Sequence, residues 1–333
     1  MMQDIPELEN CRLCEWQCGV NRLEGELGVC RIGRPKVASA VLHPAPPQSY
    51  TIFLSGCNFR CLGCQNWSIA HFPDTNETPR GYVEPECLGE EAYDVVNSRE
   101  GKFLGADRIF FSGGSPTPSL PYVEQVVREA RKIGDIKVNY DTNGFLTVDS
   151  LKRVIEFTDS ITFDIKAYHD DVHRALTGAP VEPVLRNARY LAENAREKLW
   201  EFRILLIPKI SVGEIKPLVD YISGIDPTLP LNFLAFRPNF VLENYKGASK
   251  ELMEKAVRMA KEGGLENVDW SGRVGLPGRL SEKTSDKYEN KGGEIAGGIA
   301  KEAGCVTHPR NCVACELEHE CPIKNYRPAK KSI

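Results

Sequence analysis

The sequence contains no apolar run long enough to cross a bilayer, which takes about 20 residues, and this argues against a membrane-embedded protein. It also lacks a basic field. The net charge is −4 over 333 residues, whereas a nucleic-acid partner calls for a Lys/Arg-rich face. The opening residues Met1-Met2-Gln3-Asp4-Ile5-Pro6-Glu7 have neither the basic start nor the apolar core of a secretory leader. The expected location is therefore cytoplasmic, with no membrane and no nucleic acid among the partners. Hydrophobic residues make up 41% and charged residues 26%, an ordinary globular balance with enough chain for one large α/β domain plus small appendages.

What the sequence does have is cysteine. In a reducing compartment, clustered cysteines point to metal sites rather than disulfides. The 12 cysteines fall as four near the start, three in a central loop, Cys87 alone, and four near the end. The central set, Cys57-Asn58-Phe59-Arg60-Cys61-Leu62-Gly63-Cys64, follows the apolar run Tyr50–Leu54, which reads as a buried strand broken by Ser55-Gly56. Three thiolates on a short loop can hold three corners of a [4Fe-4S] cluster and leave one iron open to a small molecule. The same loop with His71 spells C-x3-C-x2-C-x6-H, a Cys3His zinc set.

Residues 46–275 alternate strand and helix patterns. Strands are expected at 50–54, 107–111, 136–141, 160–164, 200–207 and 231–236. Helices are expected at 89–99, 121–132, 150–157, 184–195, 212–223 and 250–261. Such βα repeats imply a parallel sheet with right-handed crossovers, with functional residues at the C-terminal strand ends. Those ends carry Ser112-Gly113-Gly114-Ser115-Pro116, then Asp141-Thr142-Asn143-Gly144-Phe145, then Asp164-Ile165-Lys166. Asp164 and Lys166 share one strand face by period two.

The cysteine loop and these three motifs together resemble the radical S-adenosylmethionine (SAM) superfamily, and in particular the activating enzymes of pyruvate formate-lyase and other glycyl-radical enzymes. The resemblance implies an α/β fold, an incomplete (β/α)6 TIM-like barrel over residues 46–275. Small cysteine-rich metal-binding extensions flank it at 1–45 and 276–333. It implies that Cys57, Cys61 and Cys64 hold a [4Fe-4S] cluster that cleaves SAM to a 5′-deoxyadenosyl radical, which abstracts hydrogen. Gly113, Gly114, Ser115, Asn143, Asp164 and Lys166 would bind SAM, with Ser115 standing where the family commonly has glutamate. Two departures stand out: Gly63 occupies the position where the family often has an aromatic residue, and no histidine follows the fifth strand. Phe59 and Trp67 are the substitutes available for adenine stacking.

The extensions add two more cysteine sets. Cys11, Cys14, Cys18 and Cys30 follow C-x2-C-x3-C-x11-C and resemble the start of a less characterised branch related to those activating enzymes. Cys305, Cys312, Cys315 and Cys321 follow C-x6-C-x2-C-x5-C-Pro and resemble appended auxiliary-cluster segments. Each set suits an additional [4Fe-4S] cluster or zinc, with His308 and His319 as spare ligands in the second. The stretch 276–303 reads as a mobile connection or a polar helix. Cys87 reads as a small buried hydrophobe, His169 and His173 as surface-helix residues, and Arg203 and Arg237 as carboxylate binders or structural pairs. The activity expected is SAM cleavage with a protein or peptide substrate, activating a glycyl-radical enzyme. The alternatives are modification of a peptide or small metabolite, or a non-catalytic zinc-binding interaction protein. The electron donor expected is of low potential, such as ferredoxin or flavodoxin.

Overall fold

The apolar run after residue 48 becomes β2 (Ser49–Leu54), whose Ile52 and Leu54 are fully buried. Burial on both faces is what a continuous apolar run gives inside a parallel sheet. The structure is a computed structural model that describes residues 5–278, 291–307, 309–317 and 320–329. It divides into two compact units, residues 1–58 with 66–162, and residues 59–65 with 163–333.

In the first unit β1 (Val37–His43) lies antiparallel on β2, with His43 opposite Ser49. β3 (Arg108–Gly113) and β4 (Lys137–Thr142) follow in parallel, Leu54 pairing with Gly113 and Phe111 with Tyr140. A short helix, α1 (Trp67–Ala70), follows the cysteine loop. α2 (Pro85–Asn97) and α3 (Arg99–Leu104) precede β3, and α4 (Leu120–Ile133) and α5 (Val148–Phe157) follow β3 and β4. Val123, Val126, Val127 and Ala130 of α4 are buried at helical spacing. Thr147 caps α5 by accepting from Ser150 N.

β5 (Ser160–Asp164) runs across the division between the units. In the second unit β6 (Leu199–Leu206), β7 (Leu231–Ala235) and β8 (Val268–Ser271) are parallel and in register. Between and after them come α6 (Asp170–Thr177), α7 (Glu182–Asn194), α8 (Ile215–Ser223), α9 (Lys250–Glu262) and α10 (Gly292–Glu302). Strand order follows chain order throughout.

The six expected strands are β2 to β7, each within a residue or two of its expected bounds, so the expected α/β class with mostly parallel strands holds. β1 and β8 are additions at the sheet's ends. α10 corrects the reading of 276–303 as a mobile link or polar helix: Ile295, Ala296 and Ala300 are buried, and the helix packs on α6. Residues 279–290 of that stretch lie outside the described residues, as do His308 and His319. Cys87, read as a buried hydrophobe, is exposed on α2.

Gly89 of α2 sits where a Cβ would lie 2.8 Å from Ala130 N and 3.0 Å from Val126 O of α4. Replacing a helical glycine by alanine normally stabilises by about 1 kcal/mol. Here the added methyl meets backbone that cannot rotate away, and overpacking costs about 1–3 kcal/mol. Gly89→Ala is expected to lower the thermal midpoint, and a raised midpoint in a melting curve would contradict this packing.

Candidate active site

The first unit shapes the entry to the cysteine loop. After Leu54 the chain turns through Gly56, at φ +85, into Cys57. The Gly113-Gly114 pair is strapped onto this turn. Gly114 N donates to Leu54 O at 2.8 Å, and Ser115 N donates to Gly56 O at 2.9 Å. A Cβ on Gly113 would lie 2.3 Å from Leu54 N, and one on Gly114 2.3 Å from Gly56 O. These glycines thus serve a backbone-to-backbone approach, and only Gly fits where backbone meets backbone this closely. Gly113 O also accepts from Asn66 Nδ2 at 2.8 Å. Ser115, 3% exposed, places its hydroxyl oxygen 3.4 Å from Thr117 N, so it closes a turn.

The β4 end grips the loop directly. Asn143 Nδ2 donates to Asn58 Oδ1 at 2.7 Å and lies 4.0 Å from Cys57 Sγ. Asn58, fully buried, donates in turn to Phe145 O at 3.1 Å. Ser112 and Asp141, at the ends of β3 and β4, are joined by a 2.7 Å hydrogen bond. Asn58, Ser112 and Asp141 were not among the expected site residues. For the last two, their place at strand ends beside the glycine and Asn143 motifs was the available signal.

The N-terminal cysteines dock on the same corner. Burial, followed by the neighbouring Cys30, Cys18 and Cys11, pushes the Cys14 thiol well above its ordinary value. Cys14 bridges to Leu146, and the Trp16 ring lies 4.9 Å from Phe145 with its Nε1 donating to Asn58 O at 2.7 Å. Arg22, 1% exposed, donates to Ile32 O, Gly33 O and Pro118 O and reaches Cys11 Sγ at 3.5 Å.

In the second unit, β5 ends on Asp164. Its carboxylate accepts from Lys166 Nζ at 2.7 Å and from Arg203 Nε at 2.6 Å. Burial pushes the Asp164 carboxyl up, but Arg203 and then Lys166 outweigh it and hold the group well below the usual carboxylate range. Burial lowers Lys166, and Asp164, whose carboxylate its ammonium touches, followed by the charge of Cys61, more than restores it. Of the two arginines read from sequence, Arg203 thus joins the Asp164–Lys166 pair.

The loop itself is fastened to α6: Arg60 N donates to Thr177 O and Leu62 N to Leu176 O. Phe59, 2% exposed, packs edge-on against His173 at 5.5 Å and is a packing residue. A Cβ on Gly63 would meet Phe236 at 3.1 Å and Leu242 at 3.2 Å, which leaves no room for an aromatic there. His173, read as a surface residue, is fully buried with Nδ1 2.7 Å from Ala179 O. Cys305, Cys312, Cys315 and Cys321 line one cavity with Arg60 and Arg310. Among the described residues no three of His, Cys, Asp and Glu are gathered to hold a bare metal ion. None of these residues forms a helix able to cross a membrane.

The Radical SAM superfamily matches residues 51–222, and the chain belongs to it. Its cofactors are accordingly a [4Fe-4S] cluster and S-adenosylmethionine. An uncharacterised protein of Methanocaldococcus jannaschii is 26% identical over 269 residues, 78% of this chain and 77% of that one. The pyruvate formate-lyase 1-activating enzyme of Escherichia coli K12 is 29% identical over 230 residues, 63% of this chain and 87% of that one. Among solved structures, Streptococcus suis SuiB has a TM-score of 0.48 at 14% identity, over 67% of this chain and 48% of that one.

Two stability measurements check this arrangement. Asn143→Ala leaves the buried Asn58 Oδ1 without its donor, and unfolding should show a loss of about 1–3 kcal/mol. An unchanged midpoint would mean that Asn143 does not hold the loop. Burial also lowers the His173 imidazole to about 4. The unfolded chain then binds the extra proton between pH 6.5 and 4, so stability falls as pH drops through that window, by about 3 kcal/mol in all. His173→Gln should flatten this part of the stability–pH curve, and an identical slope in both proteins would refute the assignment.

Proposed function

We propose that this enzyme cleaves SAM reductively at a [4Fe-4S] cluster held by Cys57, Cys61 and Cys64, and takes hydrogen from a protein or peptide substrate. The observation that carries the reading is the setting of the thiols, with the Asn143 amide 4.0 Å from Cys57 Sγ and the Lys166 ammonium, held by Asp164, within electrostatic reach of Cys61. Both are groups that stabilise thiolate over thiol, and thiolate is the form that ligates iron. When bound, the cluster supplies the low-potential electron that splits SAM into methionine and a 5′-deoxyadenosyl radical.

The protein's part is to bind and orient. Lys166 is the cation for the SAM carboxylate, and Asp164 accepts from hydroxyl groups of the ribose. Arg203 keeps Asp164 ionised and in place when Lys166 turns to the ligand. Gly113, Gly114 and Ser115 present backbone at the end of β3, and Asn143 holds the loop while its amide stays next to Cys57. The electron comes from a donor at or below about −400 mV, a ferredoxin or flavodoxin.

A protein substrate is supported by the Escherichia coli relative, named for activating pyruvate formate-lyase. Activation of a glycyl-radical enzyme is the specific form we propose. Cys11, Cys14, Cys18 and Cys30 we assign to a second metal site, iron–sulfur or zinc. The buried Arg22 supports this, because thiolates at that site offset a guanidinium whose other partners are carbonyl oxygens.

Anaerobically reconstituted protein with dithionite and SAM is expected to yield 5′-deoxyadenosine. Cys57→Ala/Cys61→Ala/Cys64→Ala is expected to lose about four irons per chain and all of that product. Lys166→Met is expected to retain the iron and weaken SAM binding at least tenfold. Colourless protein carrying zinc and no iron would end the radical reading and favour a zinc-binding interaction protein.

A further inference from the structure

Residues 13–16 run antiparallel along the chain that follows Asn143. Thr147 N donates to Leu13 O at 3.2 Å, Cys14 bridges to Leu146, and Glu15 N donates to Phe145 O at 3.4 Å. A turn then closes, with Gln17 N donating to Cys14 O at 2.9 Å and Gln17 itself at φ +42. A residue other than glycine is uncommon in that region, so the turn is held against a local preference, and it carries Trp16. The indole ring lies 4.9 Å from Phe145, and its single N–H donates to Asn58 O at 2.7 Å. Asn58 is the residue next to Cys57. Its Oδ1 accepts from Asn143 Nδ2 at 2.7 Å, its Nδ2 donates to Phe145 O at 3.1 Å, and its carbonyl takes the indole. Asn58 is fully buried and Cys57 is 7% exposed, with Cys57 Sγ 3.9 Å from Asn58 Oδ1.

We propose that Trp16 is a positioning residue for the SAM-cleaving site. By holding the Asn58 carbonyl it fixes the peptide beside Cys57, and with it the amide groups that surround that sulfur. The inference rests on Cys57 being a ligand of the proposed loop cluster. Two of the three contacts that pin Asn58 come from the segment after β4, at Asn143 and Phe145. The third comes from the N-terminal module, and its chemistry is specific. Another aromatic ring could pack on Phe145, but the indole N–H is what reaches the carbonyl, and a buried carbonyl left without a donor costs free energy. Trp16 lies between Cys14 and Cys18 in the chain, and the turn that presents it starts on Cys14 O. The N-terminal module thereby takes a part in the reaction other than holding a metal: it sets the geometry at Cys57.

Trp16→Phe keeps an aromatic ring over Phe145 and removes the N–H. Full-length protein, reconstituted anaerobically with iron and sulfide, is exposed to iodoacetamide, and its tryptic peptides are followed by mass spectrometry. Trypsin cuts after Arg60, so Cys57 is scored apart from Cys61 and Cys64. Cys57 should be alkylated roughly fivefold faster in the variant, the effect of one lost hydrogen bond on local opening. The exposed Cys87 is the internal reference, and its rate should not change. Formation of 5′-deoxyadenosine at saturating SAM should fall by a similar factor with the KM for SAM unchanged, because Trp16 acts on Cys57 and not on the SAM carboxylate. Phe145→Leu leaves the indole N–H and removes the ring beside it. It serves if Trp16→Phe does not fold, and should move both readings the same way. Equal alkylation of Cys57 in parent and variant, or a loss of product through KM alone, would overturn the proposal. A parent that binds iron and makes no 5′-deoxyadenosine would sink the proposed function alone, since the alkylation rates are read without turnover and still decide whether Trp16 holds Cys57.

Discussion

The C-terminal carbonyls of α6 are the constraint on which the second unit's chemistry depends. A helix leaves its last four carbonyls without intrahelical donors, and buried ones must be paired. Here Ala175 O is taken by Arg310 and Leu176 O by Leu62 N. Thr177 O is taken by Arg60 N, and Gly178 O by Cys312 N. The cysteine loop and the C-terminal cysteine segment are therefore both seated by the same helix end, using backbone groups that any sequence would provide. A buried cation at this end also meets the favourable side of the helix dipole. Gly178, at φ +83, lets the chain leave α6 while Cys312 closes on it.

A second regularity is the placing of cations near thiols. The buried Arg22 reaches Cys11, the half-buried Lys166 feels the charge of Cys61, and the buried Arg60 and Arg310 border the C-terminal four. Left as neutral thiols, cysteines would not compensate these charges, and buried uncompensated charge is costly. Asp164 supplies the one carboxylate in the set, and it is shared between Lys166 and Arg203. Were the proposed sites loaded, metal binding and the stability of these corners would be coupled, because binding deprotonates ligand thiols.

The sequence made the strands legible because a parallel sheet buries both faces, and runs such as Ile52-Phe53-Leu54 and Ile161-Thr162-Phe163 announce that burial directly. β1 was missed because Val37-Ala38-Ser39-Ala40-Val41 is half exposed along an outer strand and carries no continuous apolar signal. β8, only four residues long with one buried position, gives less. The motif residues were legible from spacing, but what they touch was not. Gly113 and Gly114 invited a ligand in the sequence reading, yet their missing side chains make room for Leu54 and Gly56. His173 kept helical spacing on a face that the sequence alone could not assign to the interior, and Phe59, considered for adenine, is spent on packing against it. Asn58 carried no motif at all. Its role depends on Asn143 and Phe145, about 85 positions away, and such pairing is visible only once the chain is folded.

The loop's own sequence acquires a reason from these neighbours. Asn58 must be a side chain with both a donor and an acceptor, since it gives to Phe145 O and receives from Asn143. Phe59 must be apolar to fill the space beside buried His173. Arg60 spends its backbone on α6 and sends its side chain toward the C-terminal cavity. Leu62 is fully buried and accepts from Leu242 N, while Gly63 is the residue that Phe236 and Leu242 permit. Each residue between the three cysteines is therefore fixed by a partner in its own unit, none of which is a cofactor. The residues between the three cysteines are thus ordered by packing and hydrogen bonds in which no metal takes part, which is the preorganisation that the proposed role would need.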